Sequence, residues 1–287
     1  MDQVKRRMAS AVAVMMALTG PVTAQGVGTP PEIHQGEALT DLMATVRVKP
    51  LVQIVATEGA RHGRSLESTF FPGRGGASWD KTVARIQTPE RLEQMVGDNL
   101  VTTLAPEEAR DASAFFASGL GQRIIERELI ARRAMLQPSV ETNAKQAAHV
   151  LQAQPTPRTI LIGSLIEALD LVDNNVASGL NANLAFYRGL SEGGVIRDDL
   201  VEDDMVGMVV GQQANIREAA ELWLLSYLML AYAPLTDDDL QGYLDFVRTP
   251  AGQGYGAAMA QSFSEVFAST SYELGLAAAV FMTQQDA

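Results

Sequence analysis

The 287-residue chain contains no cysteine. That excludes disulfides, thiolate nucleophiles and cysteine metal ligands together, and leaves the fold to be held by packing. Histidine is nearly as scarce, with only His34, His62 and His149. Strand signals are also missing: no run alternates β-branched with polar residues, and no Asn-Gly or Asp-Gly marks a hairpin turn. The stretch Thr45–Val48 comes nearest, and Lys49-Pro50 ends it. Basic residues are in the minority, 22 Lys+Arg against 34 Asp+Glu, for a formal charge of −12. A surface of that sign repels phosphate backbones, so nucleic acid is excluded as an expected partner.

What is present reads as helix. Ala, Leu, Met, Glu and Gln dominate, and these are good helix formers wherever packing does not decide. The expected fold is all-α, a helical bundle with helices near 36–47, 50–66, 78–87, 89–103, 106–117, 119–135, 139–152, 157–190, 199–232, 236–247 and 250–282. Phe70–Gly76 is expected to be an exposed glycine-rich turn, and Gly193-Gly194 a helix stop. The two prolines within 152–157 divide a first helical unit (36–152) from a second (157–287), packed as one body.

Residues 1–24 have the order of a signal peptide: basic Lys5-Arg6-Arg7, apolar Met8–Leu18, then small Val22-Thr23-Ala24 before Gln25. Their removal leaves 33 acids against 19 Lys+Arg, a formal charge of −14. The expected destination is the periplasm, with 25–35 as a flexible N-terminal segment. The longest apolar run after the leader, Leu222–Ala233, is interrupted by Ser226 and closed by Glu221 and Pro234. That is short of the roughly 18 apolar residues a bilayer span requires, so no transmembrane segment is expected in the mature chain.

One internal correspondence organises the rest. At a constant offset of 131, Leu104 matches Leu235, Phe115 matches Phe246, Ser118 matches Thr249, and Gly121-Gln122 match Gly252-Gln253. Acidic residues also coincide at Glu107/Asp238 and Glu108/Asp239. Each copy reads as a sharp helix–corner–helix. Thr236 is an N-cap with Asp239 three residues on, and Pro106 takes the first helical position in the other copy. Ser118 and Thr249 cap the following helices, with Gly119 or Pro250 at their first positions. Gly121 and Gly252 fall in the first turn, where a missing side chain lets another backbone approach. Two related long–short–long helix units are expected.

The second copy, Leu235-Thr-Asp-Asp-Asp-Leu, then Phe246, then Thr249-Pro250-Ala251-Gly252-Gln253, resembles the DUF2059 family of uncharacterised exported bacterial proteins. Val247 stands where that family has a second aromatic, and Asp239 replaces Glu. The first copy is more degenerate, with Gly119 for proline and Ala109 for leucine. The resemblance extends over about 204–278. It implies a helical fold and envelope residence, and it brings no activity, cofactor or catalytic residue.

The constellations that could carry chemistry have structural readings. Gly189-Leu-Ser191-Glu-Gly193 spells a nucleophile elbow, but it follows a predicted helix and no histidine comes after Ser191. Glu58 and His62 share a helix face without the two-histidine spacing of a zinc site. Asp198-Asp199, Glu202-Asp203-Asp204 and Asp237-Asp238-Asp239 read as solvated first-turn acids rather than calcium loops. Glu167, Asp170, Asn174 and Asn181 form a polar stripe, expected on an outer helix face. No catalytic, cofactor-binding or metal-binding residue is assigned. The expected role is a non-enzymatic binding or structural module of the envelope, acting through a groove between the units on an unknown protein or small-molecule partner. The alternatives are a periplasmic hydrolase working on carboxylates alone and a small-ligand carrier with a large enclosed apolar pocket.

Overall fold

The computed structural model describes residues 32–196 and 202–283, which are helices joined by short connections, with no strand among them. The leader, residues 25–31 of the N-terminal segment, and Asp198-Asp199 lie outside the described residues, and 32–35 begin the first helix. The helices are α1 (Glu32–Thr45), α2 (Val48–Phe70), α3 (Gly76–Ile86), α4 (Pro89–Thr103), α5 (Pro106–Ala117), α6 (Gly119–Met135) and α7 (Pro138–Ala153). After the Gln154–Thr156 connection follow α8 (Pro157–Ala168), α9 (Leu171–Glu192), α10 (Glu202–Val210), α11 (Gln213–Tyr232), α12 (Asp237–Val247) and α13 (Pro250–Thr283).

Two expected long helices are broken. The one over 157–190 ends at Ala168, because Asp170 adopts a left-handed conformation (φ 44°, ψ 36°) before α9 starts. No glycine or proline announces this break. Aspartate is among the few residues that tolerate the region. The other, over 199–232, is interrupted at Gly211-Gln212. The turn after α2 also differs from expectation. Phe70 and Phe71 are buried, and only Pro72–Arg74 and Gly76 are exposed. Phe71 meets the Trp79 ring edge-on at 4.9 Å and lies parallel to Phe281 at 5.4 Å.

Several helix contacts on the two sides of the Gln154–Thr156 connection run alike. The α1 helix rests on α2, α4 and α5, as α8 rests on α9, α11 and α12. In the same way α2 meets α3, α4 and α6, while α9 meets α10, α11 and α13. Arg47 before α2 is left-handed (φ 55°), and Asp170 before α9 is its counterpart. Between the halves, α6 packs on α11 and α12, and α13 packs on α2, α3, α4 and α5. The helices thus interlock, each half's last helix lying against the other half. The halves differ at Leu136-Gln137-Pro138, where α6 gives way to α7 because Pro138 cannot continue the hydrogen-bond ladder. The equivalent stretch of the second half runs on unbroken as the 34-residue α13.

Two cores result. The larger contains Leu42, Val96, Phe116, Ile124, Leu224, Tyr227 and Phe263 between the halves. The smaller gathers Phe71, Trp79, Tyr187, Leu190 and Leu274 around the crossing of α9 with α13. There a Cβ on Gly189 would strike the Tyr272 carbonyl oxygen, and one on Gly275 would strike that of Phe186. The helices therefore meet backbone to backbone. By length and composition α13 could cross a membrane, a property hidden from the run-length reading because small polar residues interleave its apolar ones. Forty-four per cent of its most apolar window is buried inside the protein.

Candidate functional site

Both corners are built from the same bonds. Ser118 Oγ accepts from Gly121 N at 3.1 Å, and Thr249 Oγ1 accepts from Gly252 N at 3.1 Å. A Cβ on Gly121 would hit the Phe115 carbonyl oxygen, and one on Gly252 that of Phe246. Gln122 Nε2 donates to Phe116 O at 2.8 Å and to Thr45 O at 3.1 Å. Gln253 Nε2 donates to Val247 O at 2.6 Å and to Ala168 O at 2.8 Å. Each glutamine thereby ties its corner to the end of the first helix of its own half. Leu104 and Leu235 are buried at the helix entrances, and Pro250 opens α13 from an exposed position.

The two corners meet face to face. The Phe115 and Phe246 rings lie parallel within 1° at 3.8 Å, with the Phe116 and Tyr243 rings beside them. The fully buried residue is the next one in each copy, Phe116 or Val247; Phe115 and Phe246 are only partly buried. Asp239 accepts from Thr236 N at 3.1 Å and pairs with Arg123 of the other half at 2.5 Å. Those bonds hold its carboxyl below the usual aspartate range, the Thr236 backbone amide contributing most. Asp237 pairs with Arg158 at 2.5 Å, and Asp238 is exposed.

This stretch is where the chain meets a known family. Residues 90–149 match the DUF2059 family. Its description is an uncharacterized protein conserved in bacteria, and the matched region runs from α4 into α7. The DUF2059 match therefore holds the first copy of the corner, not the 204–278 stretch carrying the closer motif. No curated protein and no solved structure matches the chain.

Beside the DUF2059 corner, a largely enclosed chamber of about 70 Å³ lies between the halves, lined by Phe116, Glu128, Leu165, Leu169, Tyr243 and Tyr255 among others. Glu128 of α6 reaches α11, where Tyr232 OH donates to its Oε1 at 2.5 Å. Tyr227 OH donates to the Glu128 backbone oxygen at 3.1 Å. Burial raises the Glu128 carboxyl to about 7, against a lowering by the Tyr232 hydroxyl. One turn along α6, Arg132 is buried, held by both Glu58 oxygens at 2.8 and 2.7 Å, and stacked over Trp223 at 4.9 Å.

A second concavity is open. About 300 Å³ in volume, it runs between the end of α7 and helices α8, α9 and α11, past Leu151, Ile160, Gly163, Ile166, Val172 and Leu225. Ile160 at its rim is 62% exposed, and neighbouring Val150 64%. A Cβ on Gly163 would have no atom within 4 Å, so this helical glycine answers no packing demand.

The sequence candidates for chemistry are scattered. Ser191 lies in the last turn of α9, and its flanking Gly189 and Gly193 pack on α13. Glu58 is engaged by Arg132, whereas His62 lies beside Leu66, Asn183 and Tyr187, and burial lowers its imidazole to about 4. Glu167 and Asn181 are exposed, Asp170 and Asn174 partly buried.

Proposed function

We propose that this protein is an exported component of the bacterial envelope that works by binding an apolar ridge of a partner protein, not by catalysis. The observation that carries the reading is the open groove between α7 and the second half, with Ile160 at its rim. Large aliphatic side chains left together in water favour association, because covering them recovers roughly 25 cal/mol per Å² of apolar surface. Gly163 supports the reading: in a helix interior it costs about 0.5–1 kcal/mol relative to alanine, yet nothing inside the fold uses the room it leaves. A ridge of helical side chains at i, i+3 and i+4 is the shape such a groove accepts. The leader-like N-terminus supports export, and the DUF2059 match supports a bacterial setting.

A photo-crosslinking residue placed at Ile160 in the native host tests this. One discrete adduct in the periplasmic fraction is expected, with none from a probe at exposed Thr57 on α2. Adducts from both positions alike, or from neither, would contradict it. Amino-terminal sequencing of the same fraction is expected to begin at Gln25, and an uncleaved Met1 would contradict export.

A further inference from the structure

The chamber between the halves is polar from a pattern that packing does not explain. Glu128, Tyr227, Tyr232, Tyr243 and Tyr255 stand, at the offset of 131, against Met259, Val96, Val101, Ala112 and Ile124. Each polar chamber residue thus has an apolar counterpart in the other half. Val96, Ala112 and Ile124 are fully buried where they stand, so the matching positions close well without hydroxyls. Among the described residues, Tyr232 alone bonds the Glu128 carboxyl, and the hydroxyls of Tyr243 and Tyr255 belong to chamber-lining residues that make no hydrogen bond to the protein. Arg132, the cation next along α6, is occupied by Glu58. A carboxyl enclosed in this way is costly to ionise without a cation of its own.

We infer that the chamber binds a small primary alkylammonium ion, its nitrogen on Glu128 and the two free phenol oxygens, its alkyl part against Leu165, Leu169 and Met259. The ammonium has three N–H donors and no acceptor, which matches a carboxylate and two phenol oxygens. The rings of Phe116, Phe246 and Tyr243 supply the aromatic surface that favours a cation over a neutral guest. Size sets the limit. A dry cavity that takes benzene is about 150 Å³, so a chamber of about 70 Å³ admits methylammonium or ethylammonium and little more. The groups facing the carboxyl are Tyr227 and Tyr232 from α11, Tyr243 from α12 and Tyr255 from α13, all of which burial keeps as neutral phenols.

Titration calorimetry of the isolated protein with methylammonium chloride at pH 8, against matched sodium chloride and against methanol, tests this. Saturable binding of methylammonium alone is expected, at least tenfold weaker in Glu128→Gln. Affinity should fall roughly tenfold from pH 8 to pH 6, since the carboxyl must lose its proton to hold the cation. Tyr255→Phe leaves the carboxyl in place and should weaken binding about two- to tenfold, so it decides the matter if Glu128→Gln does not fold. No saturable binding, equal response to sodium or methanol, or unchanged affinity in both variants would overturn the inference.

Discussion

Truncating the stacked phenylalanines, singly and together, asks whether the corners hold the halves to each other. Phe246→Ala and Phe115→Ala each remove a ring that is only partly buried. A fully buried phenylalanine costs about 3–5 kcal/mol to truncate, so about 2–3 kcal/mol is expected for each here. If each ring mainly served its own half, the costs would add. The rings instead face each other at 3.8 Å and 1°, so the first truncation already removes part of what the second would lose. Aromatic pairs couple by about 0.5–1.5 kcal/mol, and parallel overlap this close is not the best arrangement of two ring quadrupoles, which places the expected coupling near 0.5–1 kcal/mol. Urea unfolding of wild type, both single variants and the double variant, with slopes checked for equality, gives that number. A double-variant cost equal to the sum of the singles within about 0.3 kcal/mol would refute the reasoning.

Further outcomes follow from single sites. Gly189→Ala should destabilise by about 1–3 kcal/mol or more, because its Cβ enters the α13 backbone, whereas Ser191→Ala should stay within about 0.5 kcal/mol; equal effects in thermal unfolding would refute the close crossing. Gly163→Ala should raise stability by about 0.5–1 kcal/mol in the same assay, and a loss would mean that the groove floor is not open. Glu128 binds its proton more tightly folded than unfolded, so its contribution is full below about pH 4.5 and is lost as pH rises through about 7. Relative to Glu128→Gln, the wild type should therefore lose about 3 kcal/mol across that window; parallel stability–pH curves would contradict it.

How far the fold could be read from sequence varies with the physical signal. The corners were legible because capping and close approach restrict residue choice at fixed spacings: Ser118 and Thr249 bond the amides of Gly121 and Gly252 as expected. The second bonds of Gln122 and Gln253, to Thr45 and Ala168, were not, since nothing local marks a carbonyl that lies 77 or 85 residues away. Left-handed Arg47 and Asp170 carry no glycine to announce them, which is why α8 and α9 read as one helix. The chamber was invisible for a similar reason. Glu128 sits among Arg123, Glu126 and Arg127 and looks like surface, and only the crossing of α6 with α11 brings it to Tyr232. The turn after α2 carries two opposed signals: its glycines suggest exposure, and its two phenylalanines, which gain more from burial, go inside.

A partner protein is proposed to sit in the groove beside Ile160. Native mass spectrometry of the protein isolated from its own envelope tests it most directly when wild type is set beside Ile160→Glu. A 62%-exposed side chain can take the charge without unfolding the helix. Wild type is expected to carry a bound protein of defined mass, and the variant, equally folded, to carry none. The same bound mass in both, or the bare chain in both, would contradict it.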